Sequence, residues 1–201
     1  MEFDSVKDSG SRQEFGTGSV RDTCEGKGQP HLIAGEALSS AFSLPPYQDP
    51  QYEDKIQYLK DVEYNMLRYS EIVRCDREIN SDLVLDSINI VIAYIKATDD
   101  GKYSTVMKRL SKHYENGGRK YSKNNWRKGQ PISRYYDSAM RHLWAAMDSL
   151  LDEDHAAALL WNLIGIVQTK IDIGRAILPE SLNDFPFMTK DIFPQENPNG
   201  N

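Results

Sequence analysis

The stretch HYENGGRKYSKNNWRKGQPISRYYDSAMRHLWAAMDSLLDEDHAAALLWN, residues 113–162, decides the fold. Its second half places apolar side chains three and four residues apart, which is the spacing of one face of an α-helix: Tyr136, Met140, Leu143, Met147 and Leu150. Acidic residues 152–154 then open an almost wholly apolar helix that reaches about Gly174. Because helices joined by so short a connection pack antiparallel, we predict an all-α helical bundle.

The same spacing predicts further helices on the N-terminal side of this stretch. They are residues 31–42, residues 54–74, a run capped by Ser81 that reaches Ile95, and residues 104–116, which the Gly117-Gly118 pair ends; Ser133 caps the helix that follows. Residues 1–30 show no period and contain many glycines, so we expect an irregular arm there. No alternating run of the kind that makes a strand is evident.

The composition of the 201-residue chain excludes several classes of protein. A net charge of -6 argues against stable DNA binding, because the phosphate backbone dominates that affinity. Cys24 and Cys75 have no short-spaced partner and are expected to be free thiols in a reducing cytoplasm. The N-terminus lacks the apolar segment of a secretory signal. The apolar run 156–167 is too short to cross a bilayer, so we expect a buried helix and no membrane association.

Residues 113–162 also contain the side chains that suit nucleotide chemistry. All three tryptophans and three of the four histidines lie there, beside carboxylates and the basic, aromatic loop 120–128. Carboxylates suit a metal ion, Arg and Lys suit a polyphosphate, and Trp suits a flat base. Oxygen ligands of this kind are what Mg²⁺ prefers.

Each of these residues also has an ordinary structural explanation. Residues 152–154 could only cap a helix, His155 could be a satisfied core histidine, and Glu115 could be solvated surface. Trp144 and Trp161 could belong to the core. The occurrence of these residues together in one half of the chain favours a functional site.

Three segments resemble a known family: SRQEFGTGSVRDTCEGKGQPHLI at residues 11–33, HYENGGRKYSKNNWRKGQPISRYYDSAMRHL at 113–143, and DEDHAAALLWN at 152–162. They resemble the phage and bacterial dATP/dGTP diphosphohydrolases, which look related to the all-α, MazG-like nucleoside triphosphate pyrophosphohydrolases. The resemblance implies hydrolysis of a purine deoxynucleoside triphosphate, dATP or dGTP, to the monophosphate and pyrophosphate, with Mg²⁺ or possible Mn²⁺ as cofactor.

The resemblance also suggests how the chain is divided and what each residue does. We expect a nucleotide-binding arm at 1–44, a helical insertion at 45–102, the catalytic helical core at 103–178 and a tail at 179–201. Catalytic groups would be Glu115, Asp154 and His155, and metal ligands would be Glu115, Asp137, Glu153 and Asp154. Arg21, Lys27, Lys120 and Arg141 would bind phosphate, and Asn125, Trp126 and Asn162 would bind base and sugar. Gly16 and Gly18 would let the arm fold over the nucleotide.

The sequence departs from the MazG-like pattern in one respect. Those enzymes carry paired ExxE and ExxD carboxylates, whereas Glu115 is followed three residues later by Gly118 and Asp154 by Ala157. Carboxylates at residues 78, 82 and 86, spaced on one helix face, could supply missing ligands: Glu78, Asp82 and Asp86.

Two other functions remain open. An HD-type phosphohydrolase would release intact triphosphate, but Asp154-His155 is in the reverse order for that motif. A helical interaction module would bind a protein partner and would need no metal. We also expect a homo-oligomer in the cytoplasm, that of the host if the chain is phage-encoded.

Overall fold

The computed structural model describes residues 12–14, 16–17, 19–22, 27–44, 48–74 and 82–185. Within these residues the chain forms six α-helices: α1 Gly35–Phe42, α2 Ile56–Arg74, α3 Asp82–Thr98, α4 Tyr103–Tyr121, α5 Ile132–Met147 and α6 His155–Gly174. Short 3₁₀ turns occupy Pro30–Leu32, Asn125–Lys128 and Glu180–Leu182. The predicted all-α helical bundle is confirmed.

Helix α6 is the central element of the bundle. It packs against α1, α3, α4 and α5, and most of its side chains are buried. Its 20 residues are long and apolar enough to cross a membrane by length and composition, whereas the shorter run 156–167 considered in the sequence is only part of the helix. However, 67% of the apolar window is buried inside the fold, as in the core helix of a bundle. The expected buried helix is confirmed.

The start of α6 follows the predicted capping. The Asp154 carboxylate accepts a hydrogen bond from the Ala157 N–H at 3.0 Å, which satisfies one of the free donors of the first turn. The start of α5 does not follow the prediction. Ser133 is not its cap; its N–H and hydroxyl both donate to Asp184, which lies after α6 in the sequence.

Helix α4 is longer than predicted, because Gly117-Gly118 does not end it. The helix continues to Tyr121 and stops at Ser122, whose φ of 102° leaves helical geometry. Glycine costs about 1 kcal/mol relative to alanine inside a helix, so tertiary contacts must hold this turn in place. One such contact is Leu32, which packs near Gly118.

The N-terminal region contains a small hairpin that the sequence did not predict. Strand β1 Arg12–Glu14 pairs antiparallel with β2 Val20–Asp22, with Arg12 opposite Asp22. The helix expected at 31–42 is divided into the Pro30–Leu32 turn and α1. Gly18, Glu78 and Ser81 lie outside the described residues, as does the side chain of Arg21, whose backbone belongs to β2.

The predicted insertion contributes α2 and α3 to the same hydrophobic core as the other helices. Helix α3 packs against α6 and α2 against α5. The α5–α6 contact is especially close at Gly165, where an added Cβ would lie 2.3 Å from the Tyr135 ring. The hydrophobic core therefore supports the helices that carry the candidate site.

Candidate functional site

One cavity of about 450 Å³ lies among α4, α5, α6 and the loop between α4 and α5. Its volume is within the range of small-molecule sites. The lining residues are Leu32, His113, Tyr114, Gly117, Gly118, Tyr121, Ser122, Asn124, Asn125, Trp126, Gly129, Gln130, Arg134, Ser138, Arg141, His142, Trp161 and Asn162. Four predicted substrate-binding residues are thus brought together: Asn125, Trp126, Arg141 and Asn162.

Aromatic side chains form one side of this cavity. Tyr114 makes edge contacts with both Trp126 and Trp161, each with ring centroids 6.1 Å apart. The indole N–H of Trp126 is buried and has no hydrogen-bond partner in the structure. A buried donor without a partner costs about 1–3 kcal/mol.

Two arginines in the cavity lining, Arg134 and Arg141, carry charge that no carboxylate among the described residues neutralises. Arg134 and Arg141 are exposed and form no ion pair with a described residue, whereas Arg109, Arg119 and Arg175 each pair with a carboxylate. Unpaired guanidinium groups can bind phosphate through two parallel hydrogen bonds. Arg141 was predicted from the sequence, and Arg134 was not.

The predicted lysines lie away from the cavity lining. Lys120 is exposed, and its ammonium lies 5.0 Å from the ring centroid of Tyr121, which does line the cavity. Lys27 is exposed at the base of the N-terminal arm. Their assignment to phosphate stays a prediction.

A cluster of two histidines and one glutamate adjoins the cavity at His142. The Nδ1 atoms of His142 and His155 are 3.2 Å apart. Glu153 Oε1 lies 3.2 Å from the first of these atoms and 3.7 Å from the second. Within the part of the chain that the structure describes, this is the one group of three His, Cys, Asp or Glu ligand atoms close enough to share a metal ion.

The protonation of this cluster follows from its surroundings. Burial lowers the pKa of His142, and the nearby Glu153 carboxylate only partly opposes that effect. The Nε2–H of His155 donates to Asp152 Oδ1 at 2.8 Å, which lowers the pKa of that carboxyl and fixes the ring. With its proton on Nε2, His155 directs the lone pair of Nδ1 toward His142 and Glu153.

Glu115 is buried and engaged in holding the N-terminal arm. Its carboxylate accepts the Gly28 N–H at 2.9 Å and the Arg119 guanidinium at 2.7 Å. Gly28 has a φ of 84°, and an added Cβ would meet the Ser111 hydroxyl, so only glycine fits this contact. The Gly28 bond joins the arm to α4, close in sequence to Gly117 and Gly118, which line the cavity.

Asp154 is engaged with Arg109 rather than with the cluster. Arg109 donates from Nε and Nη2 to the two carboxylate oxygens at 2.8 and 2.7 Å. Burial tends to raise the pKa of Asp154, but the bonds from Arg109 and the Ala157 N–H outweigh it and the pKa is lowered. Asp137 is exposed on α5.

The four carboxylates predicted to hold Mg²⁺ do not form a group of ligand atoms in the described structure; of the four, only Glu153 belongs to such a group. The residues present therefore do not fit the oxygen-rich set that Mg²⁺ prefers. The roles assigned to Glu115, Asp137 and Asp154 stay predictions, as does the choice of Mg²⁺ or Mn²⁺.

Several residues of the site escaped the sequence analysis. His142 was not selected, because it shares no helix face with a carboxylate and its partners lie across the α5–α6 loop. Antiparallel packing of these helices brings residues near both ends of the loop together, which was a usable signal. Trp144, by contrast, is exposed and donates to Glu63 of α2, so it belongs to neither the core nor the cavity.

Comparison with known proteins agrees with the resemblance seen in the sequence. No curated protein and no solved structure is similar enough to the chain to count as a match. Residues 100–174 match the family model for the N-terminal part of the dATP/dGTP diphosphohydrolases. The match covers less than half of the chain, but it includes α4, α5, α6 and every cavity residue except Leu32. Over residues 100–174 the chain is therefore similar to the N-terminal region of the dATP/dGTP diphosphohydrolases.

Proposed function

We propose that the protein hydrolyses purine deoxynucleoside triphosphates, dATP or dGTP, to the monophosphate and pyrophosphate. The family match supports a diphosphohydrolase. The observation that carries the proposal is the cavity itself. Its space of about 450 Å³ is lined by Trp126 and by Arg134 and Arg141, neither of which forms an ion pair with a described residue. An aromatic ring suits the flat face of a base, and guanidinium groups suit a polyphosphate.

The phosphate end of the substrate is assigned to Arg134 and Arg141. Both line the cavity from α5. Their separation of seven residues places them on the same face of the helix, two turns apart, so they can act on one extended anion. Two guanidinium groups would neutralise much of the triphosphate charge and orient it for attack at the α-phosphorus.

The base end is assigned to the wall that contains Trp126. The Trp126 ring can stack on a flat base, and Asn125 and Asn162 add amide groups to the same lining that can donate to or accept from the edge of a base. Gly117 supports this assignment, because a Cβ added there would meet nothing within 4 Å. An internal helical glycine that the protein's own packing does not require leaves room for a ligand.

The test is to incubate the protein with each of the four deoxynucleoside triphosphates and a panel of divalent ions, and to identify the phosphate products. We expect dATP or dGTP to give the monophosphate and pyrophosphate. Release of intact triphosphate would instead establish an HD-type reaction. Absence of turnover with every nucleotide and ion would support a helical interaction module.

Two variants connect the activity to the cavity. Arg141→Met should raise the KM by about tenfold or more, since a charge-assisted hydrogen bond contributes about 1.5–3 kcal/mol. The matched control is Arg68→Met on α2, because Arg68 forms an exposed ion pair with Glu71 and does not line the cavity. Trp126→Phe should weaken substrate binding, because it reduces the aromatic surface that Trp126 and Tyr114 contribute to the cavity lining.

A further inference from the structure

We propose that His142, Glu153 and His155 bind one divalent transition-metal ion of the zinc class, such as Zn²⁺, Fe²⁺ or Co²⁺, in preference to Mg²⁺. The proposal deepens the proposed function and rests on it only for what the ion does in catalysis. Binding of the ion rests on the geometry of the three side chains alone.

The spacing of the three ligand atoms fits such an ion. The sides of the triangle formed by the two Nδ1 atoms and Glu153 Oε1 are 3.2, 3.2 and 3.7 Å. A tetrahedral ion with bonds of about 2.0–2.1 Å separates its ligand atoms by about 3.4 Å. An octahedral Mg²⁺ with similar bonds separates adjacent ligands by only about 2.9 Å. All three observed distances exceed the second value and bracket the first.

The donor atoms point to the same class of ion. Two of the three are imidazole nitrogens, which suit zinc, copper, iron and nickel, whereas Mg²⁺ is held mainly by carboxylates, phosphates and water. Two histidines and one carboxylate are also a ligand set used by catalytic zinc and by non-haem iron.

Asp152 supports the site from outside the triangle. Its carboxylate accepts the Nε2–H of His155 at 2.8 Å. A carboxylate bonded to the far nitrogen of a histidine is the arrangement that orients metal-binding histidines and makes the near nitrogen a better ligand. This bond explains why the buried His155 presents Nδ1 to two other potential ligands.

The site also has room for a further ligand. His142 lines the cavity, and the exposed fraction of the Glu153 side chain is 48%. No fourth His, Cys, Asp or Glu completes the group among the described residues. Three protein ligands with an open position are typical of a catalytic rather than a structural metal centre.

The experiment measures metal binding directly. Protein freed of metal with a chelator is titrated calorimetrically with Zn²⁺, Mn²⁺ and Mg²⁺ alone, and a Co²⁺ sample is examined by visible absorption. We expect one ion per chain, at least tenfold tighter binding of Zn²⁺ than of Mg²⁺, and the intense absorption of tetrahedral Co²⁺. Glu153→Gln should weaken Zn²⁺ binding by about a hundredfold, and Asp152→Asn by about ten- to a hundredfold.

The variants are chosen so that misfolding does not decide the result. His155 is buried, so its replacement can fail to fold, but Glu153 is half exposed and its replacement tests the same ion. Asp148→Asn, an exposed carboxylate in the same loop, is the matched control and should bind as the wild type does.

The outcomes separate this proposal from the proposed function. Equal affinity for Mg²⁺ and Zn²⁺, or binding that Glu153→Gln leaves unchanged, would show that the cluster is only a hydrogen-bonded network. Turnover by zinc-free protein with Mg²⁺ alone would overturn a catalytic role for the ion. Tight Zn²⁺ binding without turnover of any nucleotide would uphold the metal site and overturn the proposed function.

Discussion

Replacing Asp154 by asparagine separates two roles that one carboxylate now combines. The side chain caps α6 through the Ala157 N–H and receives two hydrogen bonds from Arg109, at 2.7 and 2.8 Å. Asparagine caps a helix about as well as aspartate, so the capping bond should survive. The ion pair is lost. Hydrogen bonds to charged groups contribute about 1.5–3 kcal/mol, but the Arg109 and Asp154 side chains are 27% and 36% exposed, so we expect a loss of about 1–2 kcal/mol.

The assay is urea unfolding followed by circular dichroism, together with the activity of the folded variant. Asp154→Ala should cost about 1 kcal/mol more than the asparagine variant, because it also removes the cap. In a cycle with Arg109→Met, most of the loss should appear as coupling between the two residues.

The same ion pair predicts a direction for the pH dependence. Because the pKa of Asp154 is lowered in the folded state, its contribution is complete above the pKa of the unfolded chain, about 3.9, and is lost as the pH falls through the folded pKa. The wild-type advantage over Asp154→Asn should therefore shrink in acid. A variant of wild-type stability with activity lowered about a hundredfold would refute this reasoning and support the predicted catalytic role.

Two further predictions concern the core. Gly165→Ala should lower stability by about 1–3 kcal/mol in thermal unfolding, because the added Cβ would lie 2.3 Å from Tyr135. Gly174→Ala, at the open end of α6, is the control and should not lower stability. Equal melting temperatures for the two variants would contradict the packing of Gly165 against Tyr135. Burial lowers the pKa of Lys170 to about 8, so wild-type stability should rise relative to Lys170→Met between pH 8 and about 10.5, since the unfolded chain then binds more protons. Parallel urea midpoints for the two proteins at pH 7 and pH 10 would rule out that burial.

The helices could be predicted from the sequence because each carries an apolar face with a period close to that of the α-helix. Asp154 could likewise be recognised as a cap, since capping acts between residues three apart. The prediction failed where distant residues decide the local structure. Gly117-Gly118 normally ends a helix, but packing extends α4 to Tyr121. Ser133 normally caps a helix, but Asp184 takes its hydroxyl.

The site was predicted in part, for a similar reason. Four residues predicted to bind substrate could be placed at one cavity because they lie in one conspicuous segment, although their role stays a prediction. The partners of the carboxylates could not be found, since Arg109 is 45 residues from Asp154 and Gly28 is 87 residues from Glu115. Residue type and spacing do not distinguish a carboxylate held by an arginine from one held by a metal.

The composition of the cavity lining has a consequence for how the site forms and how it could change. Every lining residue except Leu32 lies between residues 113 and 162, so the chain closes the cavity through short sequence separations. Contacts of this kind form early in folding, because little chain entropy is lost in making them. Insertions or deletions before residue 100 should therefore change the stability of the bundle around the cavity, but not the residues that line the cavity from 113 to 162. The segment that carries the chemistry could be inherited as one piece while the rest of the chain diverges around it.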